Sequence, residues 1–162
     1  MLAVADRAGV AAGTLYRHFS SKEELFVELF RSVCDHELAV MRAAASGGEL
    51  SAVERIDRVL TTFAMRALSR PRLARALIAE PVAAGVDAER LVYRARYREL
   101  LAGALRDGVV AGELPDQDVE LTSAALVGGC AEALIGPLAA QDAPREHTIA
   151  ALRAFIRRAV GA

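Results

Sequence analysis

The sequence predicts an all-α protein, and three observations support this. Apolar residues recur at every third or fourth position along most of the chain, the spacing of one face of an α-helix. The strict alternation typical of strands is almost absent, and glycine and proline fall between the periodic segments. At 162 residues and 54% hydrophobic, the chain is large enough to bury a core, which excludes a disordered protein.

The first elements are predicted to be two short helices, over residues 2–8 and 11–19. A turn at Gly9-Val10 separates them, and glycine permits the positive φ that such a turn requires. Val10, Leu15 and Phe19 are spaced to pack inward. This pattern predicts a helix-turn-helix unit.

Two capping boxes mark the starts of the next helices. Ser21 and Glu24 have the required spacing, and the helix that they start is long, ending near residues 46–48. Ser51 and Glu54 repeat the spacing and start a second helix. The long helix therefore links the helix-turn-helix unit to everything that follows.

The remaining helix boundaries follow mainly from proline, glycine and aspartate. The helix that begins after Ser51 is expected to end at about Leu68, and Pro71 suits the first position of a short helix. The last three helices are expected to run from Asp87 as the cap to Gly108 or Gly112, from about Asp116 to Gly136-Pro137, and from Pro144 onward.

The second short helix has the residue types of a DNA-reading surface. Residues 7–22 contain basic side chains and no acidic one, although the whole chain has a formal net charge of −1. Small residues let a helix backbone approach a groove, and Thr, Arg and His donate to base edges or phosphates. The outward positions are Ala12, Gly13, Thr14, Arg17 and His18, with Tyr16 at the edge, and Lys22 is placed for a phosphate.

Four short motifs closely resemble the DNA-binding segment of the TetR family of bacterial transcriptional repressors. They are Ala8-Gly9-Val10, Gly13-Thr14-Leu15-Tyr16, His18-Phe19 and Lys22-Glu23-Glu24-Leu25. The resemblance implies a cytoplasmic homodimeric repressor that binds a double-stranded DNA operator and is released by a small-molecule effector. It places Ala12, Gly13, Thr14, Arg17 and His18 in the major groove, and Tyr16 and Lys22 on the phosphate backbone.

The resemblance also implies a division into two domains. Residues 1–45 would form the helix-turn-helix head and its linking helix, and residues 46–162 a helical effector-binding and dimerisation domain. In the family a further helix precedes the motif, so we expect about 30 residues to be absent before Met1, from the length that a helix and turn need. A misassigned start, a fragment and a natural variant without DNA binding remain open. The apolar residues then left uncovered would be Leu2, Val4, Ala5, Leu15, Phe19 and Leu25.

The middle helices provide candidates for an effector pocket, again by resemblance. The candidate lining residues are apolar or hydroxyl-bearing: Phe63, Met65, Tyr93, Tyr97 and Leu101. The same spacing also fits a plain hydrophobic core. The nearby Arg90, Arg94, Arg96 and Arg98 would bind an acidic effector or solvate a helix face.

The last two helices provide candidates for a dimer interface. The penultimate helix is rich in small residues, which allow close packing between helices. The candidate contacts are Leu121, Ala124, Ala125, Gly128, Ile149, Leu152, Phe155 and Ile156. An internally packed helix pair is the alternative.

Other classes of protein have little support in the sequence. No catalytic motif, metal spacing or cofactor motif is present, so neither an enzyme nor a cofactor is predicted. Cys34 and Cys130 lie in apolar helical patterns and are expected to be free core residues. No signal peptide or membrane-spanning run is expected. The main rival is a helical ligand-binding or dimerisation module that has lost DNA binding.

Overall fold

A computed structural model describes residues 1–81, 83–140 and 144–162. Within these ranges the chain forms eight α-helices and no strand, as predicted. The helices are α1 (Leu2–Ala8), α2 (Ala12–His18), α3 (Lys22–Ala45), α4 (Ala52–Ser69), α5 (Pro71–Ile78), α6 (Ala84–Val110), α7 (Val119–Ala139) and α8 (Arg145–Val160).

The helix-turn-helix head, α1 and α2, is joined by the predicted glycine turn. Gly9 adopts a φ of 68°, in the left-handed region, and ends α1. Ala5 is the only residue of α1 that is buried, and α2 buries none. Leu15 and Phe19 are half-buried, but Val10 is exposed, so the prediction that Val10 packs inward is wrong. Val10 directly follows the left-handed Gly9, which turns the chain outward at that point.

One of the two predicted capping boxes is complete. At the start of α4 the Ser51 hydroxyl accepts from the Glu54 amide, and the Glu54 carboxylate accepts from the Ser51 amide at 2.9 Å. At the start of α3 the Ser21 hydroxyl accepts from the Glu24 amide at 3.0 Å. The Glu24 carboxylate instead accepts from the amide and hydroxyl of Ser20, at 2.6 and 2.5 Å. The second half of that box is therefore displaced by one residue.

Two helix boundaries differ from the sequence prediction. Asp87 does not cap α6, because the Ala83 carbonyl already accepts from the Val86 and Asp87 amides and starts the helix earlier. Helix α7 begins at Val119, capped by Asp118, and continues through Pro137 to Ala139. A proline in the last turn removes one backbone hydrogen bond, and burial of Leu138 beyond it favours continuing the helix.

The main core lies among α4, α6, α7 and α8, with the C-terminal half of α3 packed against it. Ile56, Leu105, Leu126 and Leu134 are fully buried there, and each such side chain stabilises the fold by about 1.5–3 kcal/mol. A smaller cluster joins α3 to α6 through Phe30, Cys34, Val86 and Tyr93. The long α3 therefore belongs both to the head and to the core, which connects the two.

Candidate DNA-binding head and effector cavity

The predicted DNA-contacting residues lie together on α2 and at the start of α3. Tyr16 is 56% exposed, and Gly13, Arg17 and His18 are also exposed. Ala12 and Thr14 are half-buried. Neither Arg17 nor His18 forms a hydrogen bond or ion pair to any residue that the structure describes. The surface is thus available to an outside partner.

Lys22 lies in the first turn of α3, directly after the head. Its side chain is exposed, and its Nζ lies 5.3 Å from the centroid of the Phe26 ring. A cation beside the free amides of a helix start is unfavourable unless an anion is nearby. Glu23 and Glu24 in the same turn already supply negative charge, so the predicted phosphate contact of Lys22 stays a prediction.

The head also leaves apolar side chains exposed. Leu2 is 71% exposed and Val4 is 37% exposed. Of the other residues predicted to be uncovered, Leu15, Phe19 and Leu25 are half-buried. Ala5 is wrong in that set, because it is 1% exposed and its carbonyl accepts from the Val10 amide across the turn.

A cavity lies between α3, α4, α5, α6 and α7. The space open to the centres of water-sized spheres is about 130 Å³, and the cavity opens to solvent. Four of the five predicted lining residues line it: Phe63, Tyr93, Tyr97 and Leu101. The fifth, Met65, is wrong; it is half exposed and does not line the cavity. Met65 follows Phe63 by two residues, so its side chain points about 200° away from that of Phe63 around the axis of α4.

The sequence prediction missed the contribution of α3 to the cavity. Phe30, Cys34, Glu37 and Met41 all line it. Their spacing of three and four places them on one helix face. This spacing is a signal in the sequence, but it does not say which neighbouring helices face these residues.

An aromatic row crosses the cavity from α3 to α4. The ring centroids of Phe30 and Tyr93 are 5.8 Å apart, those of Tyr93 and Tyr97 are 6.4 Å apart, and those of Tyr97 and Phe63 are 6.4 Å apart. The Tyr93 hydroxyl donates to the Arg31 carbonyl of α3 at 3.1 Å. Side chains of α3, the helix that leads to the head, therefore form part of the cavity wall.

The two cysteines are free and buried, as predicted, and both line the cavity. Burial raises the pKa of the Cys34 thiol to about 11, and burial likewise raises the pKa of Cys130 to about 11. Both thiols are therefore protonated at neutral pH and behave as small apolar groups.

The arginines near the cavity have distinct roles. Arg90 donates to the carbonyls of Leu77 and Ala76, each at 2.9 Å, and so binds the C-terminal end of α5. Arg96 pairs with Asp35 at 2.9 Å outside the cavity lining. Arg94 lines the cavity and, among the residues the structure describes, has no ion-pair partner. Arg98 is exposed and does not line the cavity.

One ion pair belongs to the cavity lining itself. The Arg66 Nη2 donates to Glu37 Oε1 at 2.8 Å, and the Arg66 Nε donates to Glu37 Oε2. This hydrogen bonding raises the pKa of the Arg66 guanidinium. The pair joins α3 to α4 across the edge of the cavity.

The predicted interface residues divide into two groups. Leu121 is 67% exposed and Phe155 is 37% exposed, and Ala125 and Gly128 are also exposed. Ala124 and Ile149 are half-buried. Leu152 and Ile156, at 5% and 0% exposure, were wrongly assigned, because the inner face of α8 packs them into the core.

Helix α7 is long and apolar enough to cross a membrane by length and composition, with a mean hydropathy of 1.4. One such helix is weak evidence for a membrane span, because a core helix passes the same test, and Leu126, Cys130 and Leu134 of α7 are buried in the core. About a quarter, 28%, of the apolar window is buried within the chain. Within the described ranges, no three His, Cys, Asp or Glu side chains are grouped so as to hold a metal ion.

A helix-turn-helix head joined by one long helix to a helical, cavity-containing unit defines a class of regulator-like all-α proteins. Residues 1–29 match the sequence model described as bacterial regulatory proteins, tetR family. The chain is 33% identical over 123 residues to the HTH-type transcriptional repressor KstR2 of Rhodococcus jostii (strain RHA1). That match covers 73% of this chain, which thereby spans 59% of the length of the repressor.

Solved structures show the same fold. FadR of Bacillus subtilis, solved with stearoyl-CoA, superposes with a TM-score of 0.81 at 21% identity, covering 97% of this chain and 84% of that chain. A TetR/AcrR-family regulator of Thermobifida fusca YX-ER1 gives a TM-score of 0.72 at 25% identity, covering 94% of this chain and 82% of that chain. The predicted resemblance to the TetR family is confirmed, with the family model matching residues 1–29 and the fold of a TetR/AcrR-family regulator matching over 94% of the chain.

Proposed function

We propose that this protein is a DNA-binding transcriptional repressor that leaves its operator when a small molecule occupies the cavity. The observation that carries the proposal is the position of α3. Its first turn holds Lys22 beside the DNA-reading residues, and its middle turns line the cavity through Cys34 and Glu37. A ligand that fits one position of α3 better than another would shift the head.

The DNA-reading surface consists of the exposed face of α2. Ala12, Gly13, Thr14, Arg17 and His18 would lie in the major groove, and Tyr16 and Lys22 on the phosphate backbone. Support comes from the exposure of Tyr16 and from the lack of intramolecular partners of Arg17 and His18 in the ranges the structure describes. The formal net charge of −1 does not oppose this, because the charge near the contact surface is what acts on the DNA.

The effector we propose has an apolar body and an anionic group. Most of the cavity lining is apolar, which favours a hydrocarbon chain or ring system. Arg70 and Arg94 also line it and have no ion-pair partner among the described residues, so an anionic group has cations to meet. FadR of Bacillus subtilis, with the same fold, was solved with stearoyl-CoA, which is a molecule of this kind.

We further propose that the protein acts in the cytoplasm as a homodimer, without enzymatic activity of its own. Reading two half-sites requires two heads. The exposed Leu121, Ala125, Gly128 and Phe155 on α7 and α8 form an unpaired surface for a second copy. Close helix packing is possible at Gly128, since nothing lies within 4 Å of a Cβ built there.

The test is fluorescence anisotropy on DNA from the upstream region of its own gene, over a range of salt concentrations. A repressor binds one segment of that DNA tightly, with a strong salt dependence, and stearoyl-CoA releases it. Binding of no DNA at low salt would refute the proposal. The second candidate, a ligand-binding or dimerisation module without DNA binding, would then be favoured, since the exposed Leu2 and Val4 leave the head poorly covered.

A further inference from the structure

The Glu37–Arg66 ion pair differs from every other ion pair among the described residues. It is the one pair in which both partners line the cavity. The Glu37 and Arg66 side chains are 23% and 33% exposed. Helix α3 also makes two ion pairs with α6, Arg31–Glu89 and Arg96–Asp35, and the residues of these pairs do not line the cavity.

The geometry of the pair matches that of an anionic ligand. A guanidinium binds carboxylate and phosphate oxygens through the same two parallel N–H donors. Glu37 occupies those donors in this structure through both of its oxygens. A ligand anion in the cavity therefore competes with Glu37 for the same two N–H donors of Arg66.

The exchange would have a mechanical consequence. Arg66 is carried by α4 and Glu37 by α3, beside Leu38, which is buried in the same core as α4. When a ligand anion binds the Arg66 guanidinium, Glu37 loses its partner and lies near a second negative charge. Displacing Glu37 displaces α3, whose first turn at Lys22 is about 22 Å away along the helix.

We infer that Arg66 selects effectors with an anionic group, and that this group displaces Glu37 to release α3 from α4. The inference rests on the proposed function, because it needs an effector in the cavity. Arg66 is then a specificity-determining residue. Glu37 is a positioning residue, and its carboxylate resembles the anionic ligand group that displaces it. Neutral molecules of the same shape would fill the cavity without breaking the pair.

The test compares two probes that differ only in charge, palmitate and palmitamide. Binding of each is measured by calorimetry, and DNA release by anisotropy, for the parent chain, Glu37→Gln and Arg66→Gln. Arg31→Gln is the matched control, since it breaks an ion pair between α3 and α6 whose partners do not line the cavity. Helical content and thermal unfolding, measured for each variant, verify that the fold is kept.

The expected results separate the two residues. Glu37→Gln binds palmitate about tenfold more tightly than the parent, because no carboxylate has to be displaced, and binds palmitamide unchanged. Arg66→Gln loses the preference for palmitate, so that the two probes bind within about twofold of each other. Arg31→Gln behaves as the parent does. In the parent, palmitate releases DNA and palmitamide does not.

Two outcomes count against the inference, and they differ. If stearoyl-CoA or either probe binds but the charge preference is the same in the parent and in both cavity variants, the exchange at Arg66 is refuted and the effector cavity stands. If stearoyl-CoA, palmitate and palmitamide all fail to bind the parent, both the proposed effector class and the inference are refuted.

Discussion

The head and the body of this molecule differ in how many of their side chains are buried. In the head, α1 and α2, Ala5 is the only buried residue, while Leu2, Val4 and Tyr16 are exposed. In the body, α4 to α8, a continuous core buries Ile56 and Leu105 completely. The body therefore supplies most of the apolar burial that stabilises the fold, and the head supplies little.

The largest effect expected from this comparison is on stability. Leu105→Ala removes a fully buried side chain and should lower the free energy of unfolding by about 2–5 kcal/mol. Leu15→Ala, at a half-buried position of the head, should lower it by about 1 kcal/mol or less. Urea titration followed by circular dichroism measures both. Equal losses would show that the head unfolds as part of the core.

The second effect tests how closely the body is packed. A Cβ at Gly108 would lie 2.5 Å from the Ala52 Cβ and 2.8 Å from Leu114 Cδ1, so α4 and α6 would have to move apart. Gly108→Ala should therefore lower the free energy of unfolding by about 1–3 kcal/mol. Gly103→Ala on the same helix is the control, since nothing lies within 4 Å of a Cβ there. It should be neutral or slightly stabilising.

The described elements that the sequence predicted well are those whose signal is local. Ser51 with Glu54 and Pro71 each fixed a helix start, because caps and prolines act within one turn. Pro137 misled the prediction, because burial of Leu138 in the core outweighs one lost hydrogen bond. Such burial depends on residues distant in the chain.

The two candidate sites also differ in whether their residues are local in the sequence or distant. The residues proposed to read DNA lie in one short continuous segment, so a sequence motif predicts them together, and their contact with DNA stays a prediction. The cavity is assembled from five helices, and its polar pair, Glu37 and Arg66, joins residues 29 positions apart. Met65 was misplaced and Glu37 was missed because helical spacing defines a face without saying which neighbour covers it.

On the proposed function, Lys22→Ala should weaken DNA binding and leave stability almost unchanged. Loss of one phosphate contact reduces the salt slope by about one and the affinity by roughly tenfold at 0.1 M salt, for all sequences alike. Anisotropy at several salt concentrations measures this. Arg98→Ala, an exposed cation of the body outside the cavity lining, is the control and should leave the slope unchanged.

Thr14→Ala should have a smaller effect of a different kind. A side chain that reads a base edge changes sequence preference, here by about 1 kcal/mol at one base pair, with no change in the salt slope. Binding to a set of single-base operator variants measures the preference. A uniform loss at every variant would place Thr14 on the backbone instead of the bases.

The smallest expected effect distinguishes the cap of the head-side helix from that of the body. Hydrogen bonds from the Ser20 side chain and amide lower the pKa of Glu24, and hydrogen bonds from the Ser51 amide and side chain lower that of Glu54. A carboxyl whose folded pKa is lowered stabilises the fold above its unfolded pKa, and that stabilisation is lost as pH falls through the folded pKa. Both caps should therefore weaken below the ordinary glutamate range of about 4.5.

The two losses should be seen by different measurements. The Glu54 box starts α4 in the core, so Glu54→Gln should flatten the acid dependence of global unfolding. Glu24 starts α3 beside the thin head, so Glu24→Gln should change hydrogen exchange of the first turn of α3 and leave global unfolding nearly unaltered. If Glu24→Gln instead shifts global unfolding as much as Glu54→Gln, the start of α3 is as cooperative as the core. The contrast between head and body would then end at Ser20 rather than continue into α3.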